Sequence, residues 1–524
     1  MTFAEVPPLS PRKAVVRSPH GVVAAQSRAA AAVGAQVLAA GGNAVDAAVA
    51  AGLALAVLEP WMNGLGGGGF LVAAPADGTA PQVVDFAMVA PAALDPADYP
   101  LTGGLAPALF TWPAVTEGRN LKGHSSIAVP GQVDGLRVAL ERFGSIGWAA
   151  ALAPAVALAE RGLPIDWYTT LSIAVGAGEL TEFPAARAIY LPNGLPPVPP
   201  AEGRGFLPLG NLPRTLRRLA AAGPRDFYEG EIAALLVRDL QAGGSRISAE
   251  DLRRYRAEVQ PALAIAYRGV EVAAVPGLSG GPTLADLLRR LEARLPADGG
   301  LADGPGATAY AAYAEALAGA YAARLETLGH SGPAATCTTH LSVVDRRGNM
   351  AALTQTLLSR FGSKVVLPET GVLMNNGILW FDPRPGRPNS IAGGQRPLAN
   401  MCPAVVRRDG RPWIALGASG GRRIVPAVTQ LLSFLVDYGM TLEEAFHQPR
   451  LDVSGEGRAV LDSRLPDDVA RAVAALMPVV REPLSVYPVH YACPSAVLRH
   501  AAAGLNFGMG EIASPWAGAV AESG

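Results

Sequence analysis

The chain has 524 residues, half of them hydrophobic and 17% charged, with 60 glycines, 45 prolines and a formal net charge of −1. That length admits two to four average domains or one large α/β domain, and the composition sets the chain apart from fibrous and disordered classes. Near-neutral charge excludes the basic footprint of a nucleic-acid binder and of an anionic-membrane binder, which leaves small-molecule chemistry as the default.

The opening stretch "MTFAEVPPLSPRKAVVRSPHGVV" has no apolar segment behind a basic start and does not read as a secretory signal. Cys337, Cys402 and Cys493 are too few and too scattered for a disulfide framework, and no C-x-x-C occurs. Both features point to the cytoplasm. Helices are predicted over 28–40 and 43–58, separated by the stop signal Gly41-Gly42. The apolar run 47–58 between Asp46 and Glu59 is too short to span a bilayer. Next, "GGFLVAAPADG" and "PQVVDFAMVAP" predict a hairpin. The run "GLGGGG" at 64–69 satisfies G-x-G-x-x-G, yet a helix leads in and a strand leads out, the reverse of a dinucleotide fingerprint. These glycines are expected to let backbone approach backbone or a ligand closely.

From 148 to 324 helical text alternates with Pro/Gly-rich connectors, which predicts helices laid over a sheet. The stretch "GHSGPAAT" at 329–336 predicts an exposed flexible loop. It leads into "CTTHLSVVDRRGNMAALTQTLLS", a hairpin turning at 346–349. Further strands are predicted at 402–408 and 412–416, with a helix over 426–438 behind Gly420-Gly421. None of the seven histidines has the spacing of H-E-x-x-H, no cysteine pair sits nearby, and no G-x-S-x-G elbow is present. Neither a metal nor any other cofactor is expected.

Thr338, at the head of the strand after the 329–336 loop, has one economical route to nucleophilicity. A hydroxyl inside a chain needs an adjacent base. Cutting the peptide bond after Cys337 places a new α-amine, with a pKa of about 7.7–8.0, on the same residue as the hydroxyl. Attack of Thr338 Oγ1 on the Cys337 carbonyl, an N-to-O acyl shift and ester hydrolysis would make that cut without outside help. A Thr-Thr-His start is weak evidence taken alone, since threonine is common in strands.

The run "TTHLSVVDRRGNMAALTQTL" resembles the start of the small subunit in the γ-glutamyltranspeptidase family of N-terminal nucleophile hydrolases. "GGNAVDAAVAAGLALAVLEP", "GLGGGGFL", "AVPGQVDGL", "RPLANMCP" and "GASGGRRI" resemble further family blocks in family order, from about residue 20 to 450. The resemblance implies an α/β (α+β) fold, a four-layer αββα sandwich built from a large chain 1–337 and a small chain 338–524. It admits a dimer of such heterodimers. By the same resemblance, Thr338 is the autoprocessing residue and nucleophile, with Cys337 before the cut, Thr339 beside it and Thr356 as its hydrogen-bonding partner. Gly420 and Gly421 match the pair whose amides stabilise the oxyanion, and Asn375 matches an asparagine near the substrate. His340 is a strand residue with no assigned chemistry.

The chain departs from the family on the side that holds a γ-glutamyl group. Ala87 in "DFAM" stands where the family has a carboxylate-clamping arginine, and Gly377 and Trp380 in "NNGILWFDP" stand where it has a glutamine and an acid. Ala399 and Asn400 replace paired serines, and Leu358 an asparagine. Losing a bidentate arginine–carboxylate pair from a dry site costs several kcal/mol by order of magnitude. The resemblance therefore implies an amidohydrolase for a small amide such as oxamate, with a glutaryl or cephalosporin acylase, or a γ-glutamyl enzyme with altered anchoring, as alternatives. Arg119, Arg360 and Arg422 are candidates to hold a substrate carboxylate. An unprocessed binding protein that keeps only the fold is the reading from outside enzymology.

Overall fold

The computed structural model describes residues 11–106, 112–295, 304–327, 337–454 and 457–524. The predicted loop at 329–336 lies outside them. Two seven-stranded sheets carry the architecture. Their strands are β1 (Val16–Ser18), β2 (Val22–Ala25), β3 (Gly68–Ala74), β4 (Gln82–Phe86), β5 (Glu258–Pro261), β6 (Leu263–Tyr267) and β7 (Val270–Ala274) from the first part of the chain. The second part supplies β8 (Cys337–Val344), β9 (Met350–Leu358), β10 (Ala404–Arg408), β11 (Arg411–Ser419), β12 (Cys493–His500), β13 (Leu505–Gly510) and β14 (Gly518–Ala521).

One sheet runs β14-β2-β8-β9-β3-β4-β5 and the other β1-β13-β12-β11-β10-β7-β6, so segments before and after Cys337 interleave in both. All the ladders in these two sheets are antiparallel. The period-2 alternation of a strand sets the layers. On β8, Leu341 and Val343 join an outer core with α1 (Arg28–Ala39), α2 (Ala44–Leu58) and α3 (Gln132–Phe143). Val344, Met350 and Ala352 instead meet Val405, Ala415 and Val497 of the facing sheet. The far side of that second sheet is covered by α4 (Gly281–Arg294), α5 (Ala307–Thr327) and α6 (Ile424–Val436). The result is helix, sheet, sheet, helix, the four-layer sandwich expected.

Local sequence explains why α2 begins and lies where it does. Asn43 caps it, accepting from the amides of Val45 and Asp46, while the Asp46 carboxylate accepts from the Asn43 amide. Every residue of α2 is buried, as a helix apolar all round requires. Its C-terminal end delivers Glu59 to the sheet. The glycine run after it is a packing device: a Cβ on Gly67 would sit 2.3 Å from the Thr356 carbonyl oxygen, and one on Gly69 2.2 Å from that of Thr354. No side chain fits between these backbones.

Candidate active site

Thr338 is set apart by a break in register. Cys337 pairs with Leu358 and Thr339 with Gln355, so Thr338 faces two residues, Thr356 and Leu357, across a bulge. Such bulges re-aim side chains. The Thr338 hydroxyl donates to Thr356 Oγ1 at 3.3 Å, and Thr356 Oγ1 accepts the Leu358 amide at 2.8 Å. Leu358 holds φ at +86°, in a region that costs a bulky side chain energy. That strain is retained where the Leu358 amide meets Thr356.

Two residues along β8, His340 shares the face of Thr338 and points into the space between the sheets. Its ring bonds Thr354 Oγ1 at 2.8 Å and Ser342 Oγ at 2.9 Å. It packs against Gly417, where a Cβ would lie 2.4 Å from the ring. Complete burial pushes its pKa down to about 3, so the ring is neutral. It packs between the two sheets two residues along from Thr338.

Gly417 belongs to β11, and that strand ends at Ser419, on the way to Gly420 and Gly421. These glycines have φ of +129° and +62°. A Cβ on Gly420 would meet the Ala492 Cα at 2.8 Å. Neither amide has an acceptor among the described residues, which suits a group waiting for an oxyanion.

Thr339 points the other way and donates to Glu59 Oε2 at 2.9 Å. Full burial pushes the Glu59 carboxyl up to about 7, with the Thr339 hydroxyl opposing that rise. Glu59, Ser419, Gly420 and Arg360 line one cavity of about 140 Å³. Trp61, Met62 and Tyr168 also wall it, with Trp61 edge-on to Tyr168 at a centroid distance of 5.9 Å.

Residues 30–335 and 330–485 match the family model described as gamma-glutamyltranspeptidase. The chain belongs to the gamma-glutamyltranspeptidase family. It is 35% identical over 499 residues to the acylase ACY 1 proenzyme of Pseudomonas sp. (strain SE83), covering 88% of each chain. The glutathione hydrolase proenzyme of Escherichia coli (strain K12) is 32% identical over 493 residues, covering 83% of this chain and 81% of that one. In three dimensions the chain is similar to the cephalosporin acylase from Bacillus halodurans, with a TM-score of 0.83 at 23% identity and full coverage of both chains, which speaks for the fold.

In this gamma-glutamyltranspeptidase family member, Ala87, Gly377 and Trp380, the positions expected from the resemblance to face a γ-glutamyl group, are buried. Ala87 and Trp380 are buried in the core between the sheets, with Met88 and Phe381. A Cβ on Gly377 would lie 2.7 Å from that of Ala128. Asn375 spends its amide on backbone: Nδ2 donates to the Gly66 and Ala128 carbonyls, and Oδ1 accepts from the Ala128 and Gly377 amides. Arg324, fully buried on α5, donates to the Ala399 carbonyl at 2.9 Å and to Asn400 Oδ1 at 3.0 Å. None of these residues lines the cavity beside Gly420.

The three arginine candidates separate. Arg119 pairs with exposed Glu117 at 3.0 Å and lines a different surface crevice. Arg422 is buried near Tyr321 and Asp452. Arg360 lines the cavity that holds Gly420. Glu59, absent from the sequence-based candidates, had a signal in the sequence: it is the acid that closes a long apolar run. No helix among the described residues is long and apolar enough to cross a membrane.

Proposed function

We propose that the chain is an autoprocessed amidohydrolase that uses Thr338 as an N-terminal nucleophile. The observation that carries this reading is the Thr338 hydroxyl at the bulge, donating to Thr356 at 3.3 Å. Family membership and two proenzyme relatives support it. Cleavage after Cys337 would give chains 1–337 and 338–524 that stay interleaved through both sheets. The compartment we favour is the cytoplasm, on cysteine usage.

In the reaction, the free α-amine of Thr338 takes the proton from Oγ1, and Oγ1 attacks the amide carbonyl. The amides of Gly420 and Gly421 receive the oxyanion. The proton passes to the leaving amine, an ester on Thr338 remains, and water attacks it with the same amine as base. Thr356 aligns Oγ1 and is itself fixed by the Leu358 amide.

The substrate is an acyl amide other than glutathione, since the positions of the γ-glutamyl clamp are filled by core packing. Of the small oxamate-like and the larger glutaryl- or cephalosporin-type amides, the walls of Trp61, Met62 and Tyr168 favour the larger, whose apolar body they would cover. The test is amine or ammonia release from glutaryl-4-nitroanilide, oxamate and γ-glutamyl-4-nitroanilide by wild type and Thr338→Ala. Release from the glutaryl amide by wild type alone is expected. Release by both proteins, or by neither, would sink the reading.

A further inference from the structure

The cavity beside Gly420 is lined by two glutamates and two arginines, and three of these four are engaged. Glu511 is ion-paired with Arg450 at 2.5 Å. Arg423 donates to the Val489 carbonyl at 2.7 Å and lies 3.9 Å from Asp452. Glu59 accepts from Thr339, and its burial disfavours the charged form. Arg360, half-buried in the same wall, has no hydrogen-bond or ion-pair partner among the described residues. An arginine can offer five donors in a planar fork, matched to a carboxylate.

Its mounting is rigid. Arg360 lies in the turn that follows β9, where Leu358, Phe361 and Lys364 all hold positive φ, at +86°, +57° and +67°. The Phe361 amide donates to the Trp61 carbonyl at 3.2 Å, the Leu357 amide to the Met62 carbonyl at 3.0 Å, and the Phe361 ring lies 5.0 Å from Tyr190. The same turn therefore fixes Thr356 through the Leu358 amide and presents Arg360 to the cavity two residues later. Strain is kept at functional sites when the surroundings enforce it.

Resting on the amidohydrolase reading, we infer that Arg360 anchors a carboxylate of the substrate, which makes the preferred substrate an anionic amide. The positive group that fixes the substrate stands on the turn after β9, on the small-chain side of the predicted cut. Position 87, the family's arginine site, is left to packing. Arg360 is a specificity-determining residue: it acts on binding of the charged group and takes no part in proton transfer.

The test is a titration by calorimetry of the cleaved protein with succinate, glutarate, adipate and benzoate, each beside its neutral amide. At least one carboxylate is expected to bind wild type about tenfold or more tightly than its amide, as one charge-assisted contact of about 1.4 kcal/mol or more gives. Arg360→Gln should abolish that preference and Arg360→Lys should keep part of it, while thermal midpoints report that both variants fold. Equal binding of acid and amide by wild type, or a preference that survives in Arg360→Gln, would overturn the inference. A wild type that releases no amine from any anilide but still prefers a carboxylate through Arg360 would sink the proposed reaction and leave the cation site standing.

Discussion

The Thr339 hydroxyl donates to the buried carboxyl of Glu59 at 2.9 Å, tying the residue after Thr338 to the end of α2. Burial pushes that carboxyl from an ordinary 4.5 up to about 7. The folded state therefore keeps a proton that the unfolded chain releases above about pH 4.5. Stability should fall as pH rises from about 4.5 to 7, by about 3 kcal/mol for the full shift, and level off above it. Urea unfolding of Thr338→Ala, expected to stay a single chain, should show this fall, and the Thr338→Ala/Glu59→Gln double variant should lack it. An equal fall in both would remove Glu59 as its cause.

His340 gives the opposite sign. With its pKa held down to about 3, it is neutral in the fold and charged in the unfolded chain below about pH 6.5. Its contribution to stability is present above that value and is lost as pH falls. The direct readout is the NMR signal of its ring, which should not move between pH 5 and 8. A midpoint near 6.5 would show that the ring is solvated and would break the stacking described between β8 and β11.

Thr356→Val removes the acceptor for both the Thr338 hydroxyl and the Leu358 amide. A buried donor left unpartnered costs about 1–3 kcal/mol. Chain cleavage and amide hydrolysis should both slow by about tenfold or more, and Thr356→Ser should restore most of the rate. Unchanged rates in the valine variant would show that the nucleophile does not depend on this pair.

Much of the fold is legible in the sequence, for identifiable reasons. Asn43 and Asp46 form a capping box, and the apolar run after them has no polar face to leave in water, so α2 is predicted within a residue of its bounds. The alternation of β8 and β9 fixes their pairing, while the bulge that re-aims Thr338 comes from a one-residue slip that composition does not reveal. Arg119, Arg360 and Arg422 look alike in sequence; only their partners in space distinguish them. Asn375 carries the family pattern, yet its side-chain amide bonds the backbone of Gly66, Ala128 and Gly377, which no spacing rule could show. Glu59 falls at the edge of an apolar run and reads as a boundary until the Thr339 hydroxyl is found against it.

Gly420→Ala tests the oxyanion pocket. At φ +129°, with Ala492 Cα 2.8 Å from the added Cβ, the turn must shift. The strain costs about 1–3 kcal/mol, and displacing one oxyanion donor lowers kcat by about 10²–10³. Folded Gly420→Ala with a wild-type kcat on the best anilide would exclude this amide from the reaction.

The proposed reaction requires the chain to make its own nucleophile by a cut before Thr338. Intact-mass analysis of freshly purified protein, with N-terminal sequencing of the smaller fragment, reads this directly. Two chains of about 35 and 19 kDa are expected, the smaller beginning Thr-Thr-His-Leu, with Thr338→Ala remaining whole. A single full-length mass at every incubation time, or a cut anywhere other than between Cys337 and Thr338, would contradict it.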